Sequence, residues 1–320
     1  MENLLITILL TSIPILLAGL GELVTEKSGV LNLGVEGMML CGAVAALGSV
    51  LIFGNPYIGI LFGAVAGILI STVFSFFTIT LMTNQVATGL GLTIFATALT
   101  GLIGEPFVGK TAASLPKLEI IFLSDIPYLG KILFSNDILV YIAIFLIFFI
   151  HFGFQNTKIG IIIRAVGDNH DSAHSIGYSV KLVRWISTSF GGMCAGMGGA
   201  YIPLALTPHW SEGMTAGKGW IALALVVFSS WMPIRLLIGA LIFGGITILQ
   251  FVAQARGWDV PSQFLNMLPY LATILALALI SLKLRHNNYE TNIFNPYIIF
   301  NHINFFILFI SSRICFSISV

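Results

Sequence analysis

Long apolar stretches follow one another along this chain and leave little polar sequence between them. Of its 320 residues, 57% are hydrophobic and only 8% are charged, and the mean hydropathy is +1.00. Soluble domains carry about 25% charged residues, whereas a helix that crosses a bilayer core about 30 Å thick needs about 20 apolar residues. The composition therefore predicts an all-α polytopic membrane protein without a separate soluble domain of ordinary size.

About nine of these stretches are candidates for transmembrane helices, and the seventh is short enough to be a re-entrant or broken half-helix. The first stretch lacks the basic flank and the cleavage site of a signal peptide, so we expect it to be a retained span. The stretches are 4–23, 30–53, 57–82, 85–103, 138–154, 182–206, 219–231, 236–254 and 264–282. We expect a membrane domain over 1–285, and an atypical tail over 286–320 that is either disordered or interfacial.

The segment 158–184, called the island below, interrupts this pattern with a concentration of charge between two predicted spans. Because cytoplasmic loops carry the excess of Lys and Arg, the island is predicted to be cytoplasmic, with the N-terminus outside and Lys218 on the opposite face. A compact charged helix between two spans needs an aqueous partner. Its charged residues are Lys158, Arg164, Asp168, Asp171, Lys181 and Arg184.

The start of the second stretch carries polar residues that are candidates for a translocation path. Asn32 and Glu36 are four positions apart, so we expect them to share a helix face. A carboxylate inside a membrane costs about 2.5–3.5 kcal/mol on insertion scales and indicates a functional site. Two interpretations remain open. Either Glu36 lines the path, or it pairs with Lys27 or caps a helix that is broken at the nearby glycines.

Uncharged polar residues in two other stretches would suit a path for a neutral polyhydroxy solute. They are Gln85, Thr93 and Thr97 in the fourth stretch, and Gln250 and Gln254 in the eighth. Threonine often bonds a carbonyl of its own helix, so packing is the alternative for the threonines. The glutamines are harder to dismiss, because an amide that faces lipid would be poorly satisfied.

Closely spaced glycines in the third and sixth stretches predict tight helix packing. Gly59, Gly63 and Gly67 repeat every four residues, and Gly192 and Gly196 form a second pair with that spacing. Small residues at this interval let helix backbones approach closely in lipid. The packing lies either inside one subunit or at a dimer interface.

Motifs for catalysis, metal binding and nucleotide binding are not supported by their context. The segment 104–111 spells a P-loop, but that motif follows a strand, and here a predicted span precedes it and Pro106 interrupts it. Cys41, Cys194 and Cys315 lie in separate apolar stretches without metal-ligand spacing. We therefore expect no cofactor, no metal, no nucleic acid partner and no enzymatic activity.

Several motifs resemble the permease subunits of bacterial ABC importers, in the branch of simple-sugar and nucleoside permeases. This branch is related to the branched-chain amino acid permeases. The resemblance runs over most of the chain and is more specific for the family than for the solute. It rests on the segments 29–39, 123–130, 160–169, 212–224 and 267–271, with Ala173 and Gly177.

The resemblance implies a subunit of the bacterial cytoplasmic membrane that works with other proteins. These would be a cytoplasmic ABC ATPase, a second permease subunit, and an extracellular or periplasmic solute-binding protein, with membrane lipid around the helices. It also implies that the island holds a cytoplasmic coupling helix that docks on the ATPase. The polar contacts would come from Arg164, Asp168 and Asn169, and close docking would be allowed by Ala165, Gly167, Ala173 and Gly177.

By this resemblance, the chain is expected to translocate a neutral polar solute, either a nucleoside or a simple sugar. The absence of an intramembrane Arg or Lys clamp argues against an anionic substrate. One alternative is a branched-chain amino acid permease. Another is an ion-coupled secondary transporter that uses Glu36 as a proton site, although that function would leave the island without a partner.

Overall fold

The computed structural model describes residues 2–119 and 134–257, together with Phe264, Met267, Leu268 and Leu271. The described helices are α1 (Glu2–Lys27), α2 (Val35–Phe53), α3 (Pro56–Ser75), α4 (Gln85–Gly104), α5 (Ile138–Asn156), α6 (Lys158–Asp168), α7 (His170–Ser175), α8 (Val180–Tyr201), α9 (Lys218–Phe228) and α10 (Pro233–Ala255). Wider π-helical turns extend α3 over Phe76–Thr80 and α8 over Ile202–Leu206. Two short antiparallel strands, β1 (Leu118–Glu119) and β2 (Ser135–Asn136), pair with each other.

Six helices in the described part of the chain are long and apolar enough to cross a membrane. They correspond to predicted stretches one to five and eight, so the prediction of a mostly helical polytopic protein is confirmed. The ninth stretch, apart from its four described residues, and the tail 286–320 lie outside what the structure describes. The six helices are Glu2–Lys27, Val35–Phe53, Pro56–Thr80, Gln85–Phe107, Ile138–Asn156 and Pro233–Ala255.

The seventh stretch is a half-helix, as its length predicted. Helix α9 has 11 residues, about half of what a bilayer requires. Left-handed backbone stops it at both ends: Ala216 and Gly217 have φ of 50° and 81°, and Ser230 and Trp231 have φ of 51° and 56°. A residue other than glycine in this conformation costs about 1–2 kcal/mol, so the surrounding contacts must hold both ends.

The second stretch begins later than predicted. Residues 28–34, called the α1–α2 turn below, are not helical, and α2 begins at Val35. Gly29 has a φ of 81°, which turns the chain away from α1. The expectation that Asn32 and Glu36 share a helix face is therefore wrong, because Asn32 precedes the helix and Glu36 lies in its first turn.

Helices α2, α3 and α8 cross where glycines leave room for backbone contact. A Cβ at Gly67 would collide with the Gly192 carbonyl, and one at Gly196 would collide with the Gly63 carbonyl. The first interpretation of the glycine pattern, packing inside one subunit, is thus confirmed. Nearly all of α2 is buried in this arrangement, so any polar group at its start must find its partners within the protein.

The chain divides into two units, residues 1–244 and 245–320. Within the first unit, α1, α2, α4, α8 and α9 surround the α1–α2 turn. The described part of the second unit includes the last residues of α10, with Gln250 and Gln254.

Candidate functional site

The carboxylate of Glu36 is buried where α2 begins and is bound by the segment that leads into α9. Its Oε1 accepts hydrogen bonds from the Thr215 hydroxyl and, over 2.8 Å, from the N–H of Gly217. Its Oε2 accepts from the N–H of Gly219 over 2.7 Å. The side chain is only 4% exposed. We call these four residues the Glu36 centre.

The Glu36 carboxylate lies at the N-terminus of the half-helix α9. The N-terminus of a helix carries partial positive charge and free N–H groups, and Glu36 lies at that end of α9. Lys218 is half-buried beside it and donates to the Thr215 carbonyl oxygen over 3.3 Å. The two chain neighbours of Lys218, Gly217 and Gly219, bond the Glu36 carboxylate. The prediction that Lys218 lies on the face opposite the island stays a prediction.

The peptide N–H groups of the α1–α2 turn bond side chains from two helices, α1 and α4. The N–H of Asn32 donates to Glu22 Oε1 over 3.1 Å, and its side-chain amide reaches Glu22 Oε2 over 3.4 Å. The N–H of Leu31 donates to Gln85 Oε1 over 2.8 Å. Non-helical backbone at membrane depth is tolerated when its polar groups find partners in protein, and these side chains provide them.

One carbonyl of the turn accepts two side-chain donors. The Leu33 oxygen receives the Thr93 hydroxyl over 3.2 Å and the Trp220 indole N–H over 3.3 Å. These bonds connect the turn to α4 on one side and to α9 on the other. The turn is therefore a junction between helices and not a loose connection.

The opposite end of α9 is held by a second carboxylate. The indole N–H of Trp231 donates to Glu26 Oε2. The Lys27 ammonium lies 5.5 Å from the centroid of the Trp231 ring, within the range of a cation–π interaction. Glu26 precedes the α1–α2 turn and Glu36 follows it, so the two carboxylates that flank the turn hold the two ends of α9.

The island folds as two short helices, α6 and α7, joined at Asn169, followed by the first turn of α8. The Oδ1 of Asn169 accepts the Ser172 N–H over 3.0 Å and so caps α7. Arg164 and Asp168 are exposed along with Asn169, and so is Gly177, whose φ is 96°. These four residues are accessible to a partner.

Gly167 and Ala173 face the interior of the subunit. A Cβ at Gly167 would collide with the Lys27 carbonyl oxygen and would come within 3.3 Å of the Gly29 nitrogen. Ala173 is only 2% exposed, and Ala165 is half-buried. The close approach at Gly167 is thus made to the end of α1, inside this chain.

Comparison with known proteins identifies the family. The family model described as "Branched-chain amino acid transport system / permease component" matches residues 4–284. The chain belongs to this family. It is a transport permease subunit and not an enzyme, and the apolar helices and the island fit this class of membrane protein.

Relatives that are named as nucleoside, guanosine or glucose permeases are similar to this chain over most of their length. A nucleoside ABC transporter permease protein of Lactococcus lactis is 32% identical over 284 residues, covering 85% of this chain and 90% of the relative. A guanosine ABC transporter permease protein of Bacillus subtilis is 33% identical over 281 residues, covering 82% and 87%. A protein of Haloferax volcanii, provisionally named a glucose ABC transporter permease protein, is 38% identical over 245 residues, covering 75% and 74%. No solved structure matches.

Four of the predicted path residues of the permease meet around the α1–α2 turn: Asn32, Glu36, Gln85 and Thr93. Thr97 donates to the Thr93 carbonyl of its own helix over 2.9 Å, as the packing alternative predicted. Gln250 and Gln254 lie on α10 in the second unit. The role of these residues in translocation and that of the island residues in docking stay predictions.

Sequence reasoning missed several residues that shape these sites. Glu22 could have been found, because it is a carboxylate inside the first predicted span, as Glu36 is inside the second. Thr215 and Gly219 lie in the segment 212–224 that carries the family resemblance, but nothing local links them to Glu36, which is far away in the chain. At the island, Ile176 is 75% exposed and Tyr178 is 42% exposed. This apolar pair lies beside the charged residues from which docking was predicted.

The segment 104–111, which spells a P-loop, has a different role in the permease. It follows helix α4 and starts with a single turn of 3-10 helix, Glu105–Phe107. A Cβ at Gly104 would collide with the Trp210 indole. Its first glycine therefore serves close packing against a tryptophan and not the binding of a phosphate.

Proposed function

We propose that this permease imports nucleosides or simple sugars as the membrane subunit of an ATP-driven ABC importer. The observation that carries the proposal is the 32–33% identity to the nucleoside and guanosine permease proteins over more than four fifths of the chain. The similarity to the Haloferax volcanii relative supports simple sugars as the second solute class.

The chemistry around the α1–α2 turn supports a neutral solute. The amides of Asn32 and Gln85 and the hydroxyls of Thr93 and Thr97 are uncharged donors and acceptors of the kind that bind sugar hydroxyls. The charge of Glu36 is already matched by the N-terminus of α9 and by its hydrogen bonds. We propose that Asn32, Gln85, Thr93 and Thr97 line the path. A role of Gln250 and Gln254 in the path stays a prediction from the sequence.

We further propose the assembly that the relatives and the island imply. The permease would lie in the bacterial cytoplasmic membrane with about nine spans, its island in the cytoplasm and its domain over 1–285. An ABC ATPase would dock on the exposed residues of the island, which are Arg164, Asp168, Asn169, Ile176, Gly177 and Tyr178. Ala165, Gly167 and Ala173 would support these residues from inside the subunit. A second permease subunit and an extracellular or periplasmic binding protein would complete the importer.

Competitive uptake tests the solute class directly. The full importer is expressed in cells that lack uptake of all three solutes, and uptake of labelled uridine, ribose and leucine is measured separately, each with the other two unlabelled solutes as competitors. We expect uptake of uridine or ribose, with no effect of leucine on it. Uptake of leucine alone would establish instead a branched-chain amino acid permease, the function that the family description favours.

A second arm tests the energy source. A nucleotide-binding variant of the ATPase subunit should abolish uptake in the same cells. Uptake that persists in vesicles without the ATPase and follows a proton gradient would disprove the ABC mechanism and establish an ion-coupled transporter.

A further inference from the structure

The island and the half-helix α9 touch the same short piece of chain, the α1–α2 turn. On the island side, Gly29 lies against Gly167, because a Cβ added at Gly29 would be only 3.3 Å from the Gly167 Cα. The Nε–H of Arg184, at the start of α8, donates to the Ser28 carbonyl oxygen over 3.2 Å. The first residues of the turn are therefore clamped between α6 and α8.

The other end of the turn is bound to α9. The Leu33 carbonyl accepts the Trp220 indole N–H, and Glu36 accepts the N–H groups of Gly217 and Gly219. Glu26, immediately before the turn, binds Trp231 beyond the far end of α9. Each end of the half-helix is thus attached to residues that flank the turn.

We propose that the α1–α2 turn is a mechanical link that transmits displacement of the island to the half-helix α9. The clamp at Gly167 and Arg184 would receive the displacement, and the Glu36 centre would pass it to the N-terminus of α9. The proposed function enters only as the source of the displacement, since an ATPase docked on the island would supply it. The link itself is a property of this chain.

Two features favour transmission over simple anchoring. The turn contacts its neighbours through backbone atoms at both ends, so a shift of the island towards the turn has to displace the turn as well. The residues that flank α9 on both sides, Ala216, Ser230 and Trp231, have left-handed backbone. Such strained positions cluster at segments that switch, and a few residues at element ends are enough to absorb a hinge movement.

Hydrogen exchange on the purified permease tests the link without any partner. Arg184→Met removes the donor to Ser28 and keeps the apolar stem. Lys181→Met is the matched control, because Lys181 is an exposed cation one turn earlier on the same helix. We expect Arg184→Met to accelerate amide exchange in 28–36 and also in 215–219, by about tenfold, the size expected for one lost hydrogen bond from a charged donor. The control should leave both segments unchanged.

Two results would overturn the link. One is acceleration confined to 28–30 with 215–219 unchanged, which would make Arg184 a local anchor. The other is equal acceleration by Lys181→Met, which would indicate a general effect of charge. If Arg184→Met does not fold, Arg184→Gln, which keeps one donor group, is measured in its place with the same two criteria.

Transport separates failure of the link from failure of the proposed function. In the assembled importer, Arg184→Met should keep the ATPase bound and hydrolysing ATP while solute moved per ATP falls about tenfold or more. Wild-type coupling in that variant would disprove the link. A wild-type importer that moves neither nucleoside nor sugar would disprove the proposed function, and the exchange measurement would still decide the link.

Discussion

The backbone N–H of Gly219 donates to the Glu36 carboxylate over 2.7 Å, so the start of one half-helix is attached to the start of a full helix. The two residues also pack without any space between them, because a Cβ at Gly219 would lie 2.7 Å from the Glu36 Cα. The unwound turn before α2 and the short helix α9 are therefore parts of one arrangement. The Glu36 carboxylate accepts hydrogen bonds from the backbone N–H groups that the start of α9 leaves free.

Glu36→Gln tests the role of this charge. The amide nitrogen of the glutamine would face a backbone N–H group that a carboxylate oxygen accepts in the wild type. The free energy of unfolding should therefore fall by about 1.5–3 kcal/mol, as for hydrogen bonds to charged groups. We expect a lower melting temperature of the detergent-purified permease. Glu212→Gln, at an exposed carboxylate, should leave it unchanged.

The same variant distinguishes the two interpretations of Glu36. A lower melting temperature with residual uptake in proportion to folded protein would indicate a helix cap. An unchanged melting temperature with altered solute affinity would indicate a path residue and would contradict our expectation.

Gly219→Ala should disrupt the Glu36 centre sterically. Its new methyl group would have to displace the backbone of α2, and overpacking of this kind costs about 1–3 kcal/mol. Gly91→Ala on α4 is the matched control, because a Cβ there would have open space around it. The melting temperature and the rate of uptake should both fall for Gly219→Ala, and neither should fall for Gly91→Ala. Equal melting temperatures of the two variants would show that α9 moves freely away from α2.

Gly67→Ala should prevent the close crossing of α3 and α8. Its Cβ would collide with the Gly192 carbonyl oxygen, a backbone atom that cannot turn aside as a side chain can. We expect little folded protein by size-exclusion chromatography. Gly153→Ala on α5 meets open space and should elute as the wild type does. A monodisperse Gly67→Ala protein of normal stability would mean that the crossing is looser than it appears.

Ser230→Gly should raise stability. Ser230 has a φ of 51°, and glycine adopts this conformation without the cost of about 1–2 kcal/mol that other residues bear. The neighbouring Ser229→Gly is the control: Ser229 has a right-handed backbone and donates to the Val226 carbonyl. The first variant should melt at a higher temperature and the second at a lower one. The reverse order would show that the strain at Ser230 is already relieved.

Asp137 should make stability depend on pH. Burial raises the pKa of its carboxyl, and hydrogen bonds from the Tyr201 hydroxyl and from the Leu139 and Val140 N–H groups only partly oppose this. Because the pKa is higher in the folded chain than in the unfolded one, the free energy of unfolding falls as pH rises through the interval between them.

Asp137→Asn isolates this dependence. We expect the melting temperature of the wild type to fall relative to that of the variant as pH rises from about 4, the ordinary pKa of aspartate, towards neutrality. Melting curves of both proteins over this range measure the difference. A difference that is constant with pH would contradict a raised pKa at Asp137.

The apolar stretches and the half-helix could be predicted because they depend on local length and polarity. Helix α9 is short since left-handed residues end it on both sides, and the glycines of α3 and α8 indicated their close crossing by spacing alone. Periodicity failed at 30–34, which is as apolar as the helix that follows. The turn there is stabilised by Glu22 and Gln85, and no local pattern reveals that these two side chains reach its peptide N–H groups.

The sequence by itself determined that this chain is a membrane protein built of apolar helices, with one charged island and no catalytic motif, because composition and hydrophobic length are properties of neighbouring residues. Its motifs also indicated the permease family. Only the tertiary structure decided that Glu36 binds the end of α9, that Gly167 packs on Lys27 and that Lys218 bonds the Thr215 carbonyl beside Glu36. The partners of Glu36 are about 180 residues away, and contacts of that separation exist only once the helices have packed.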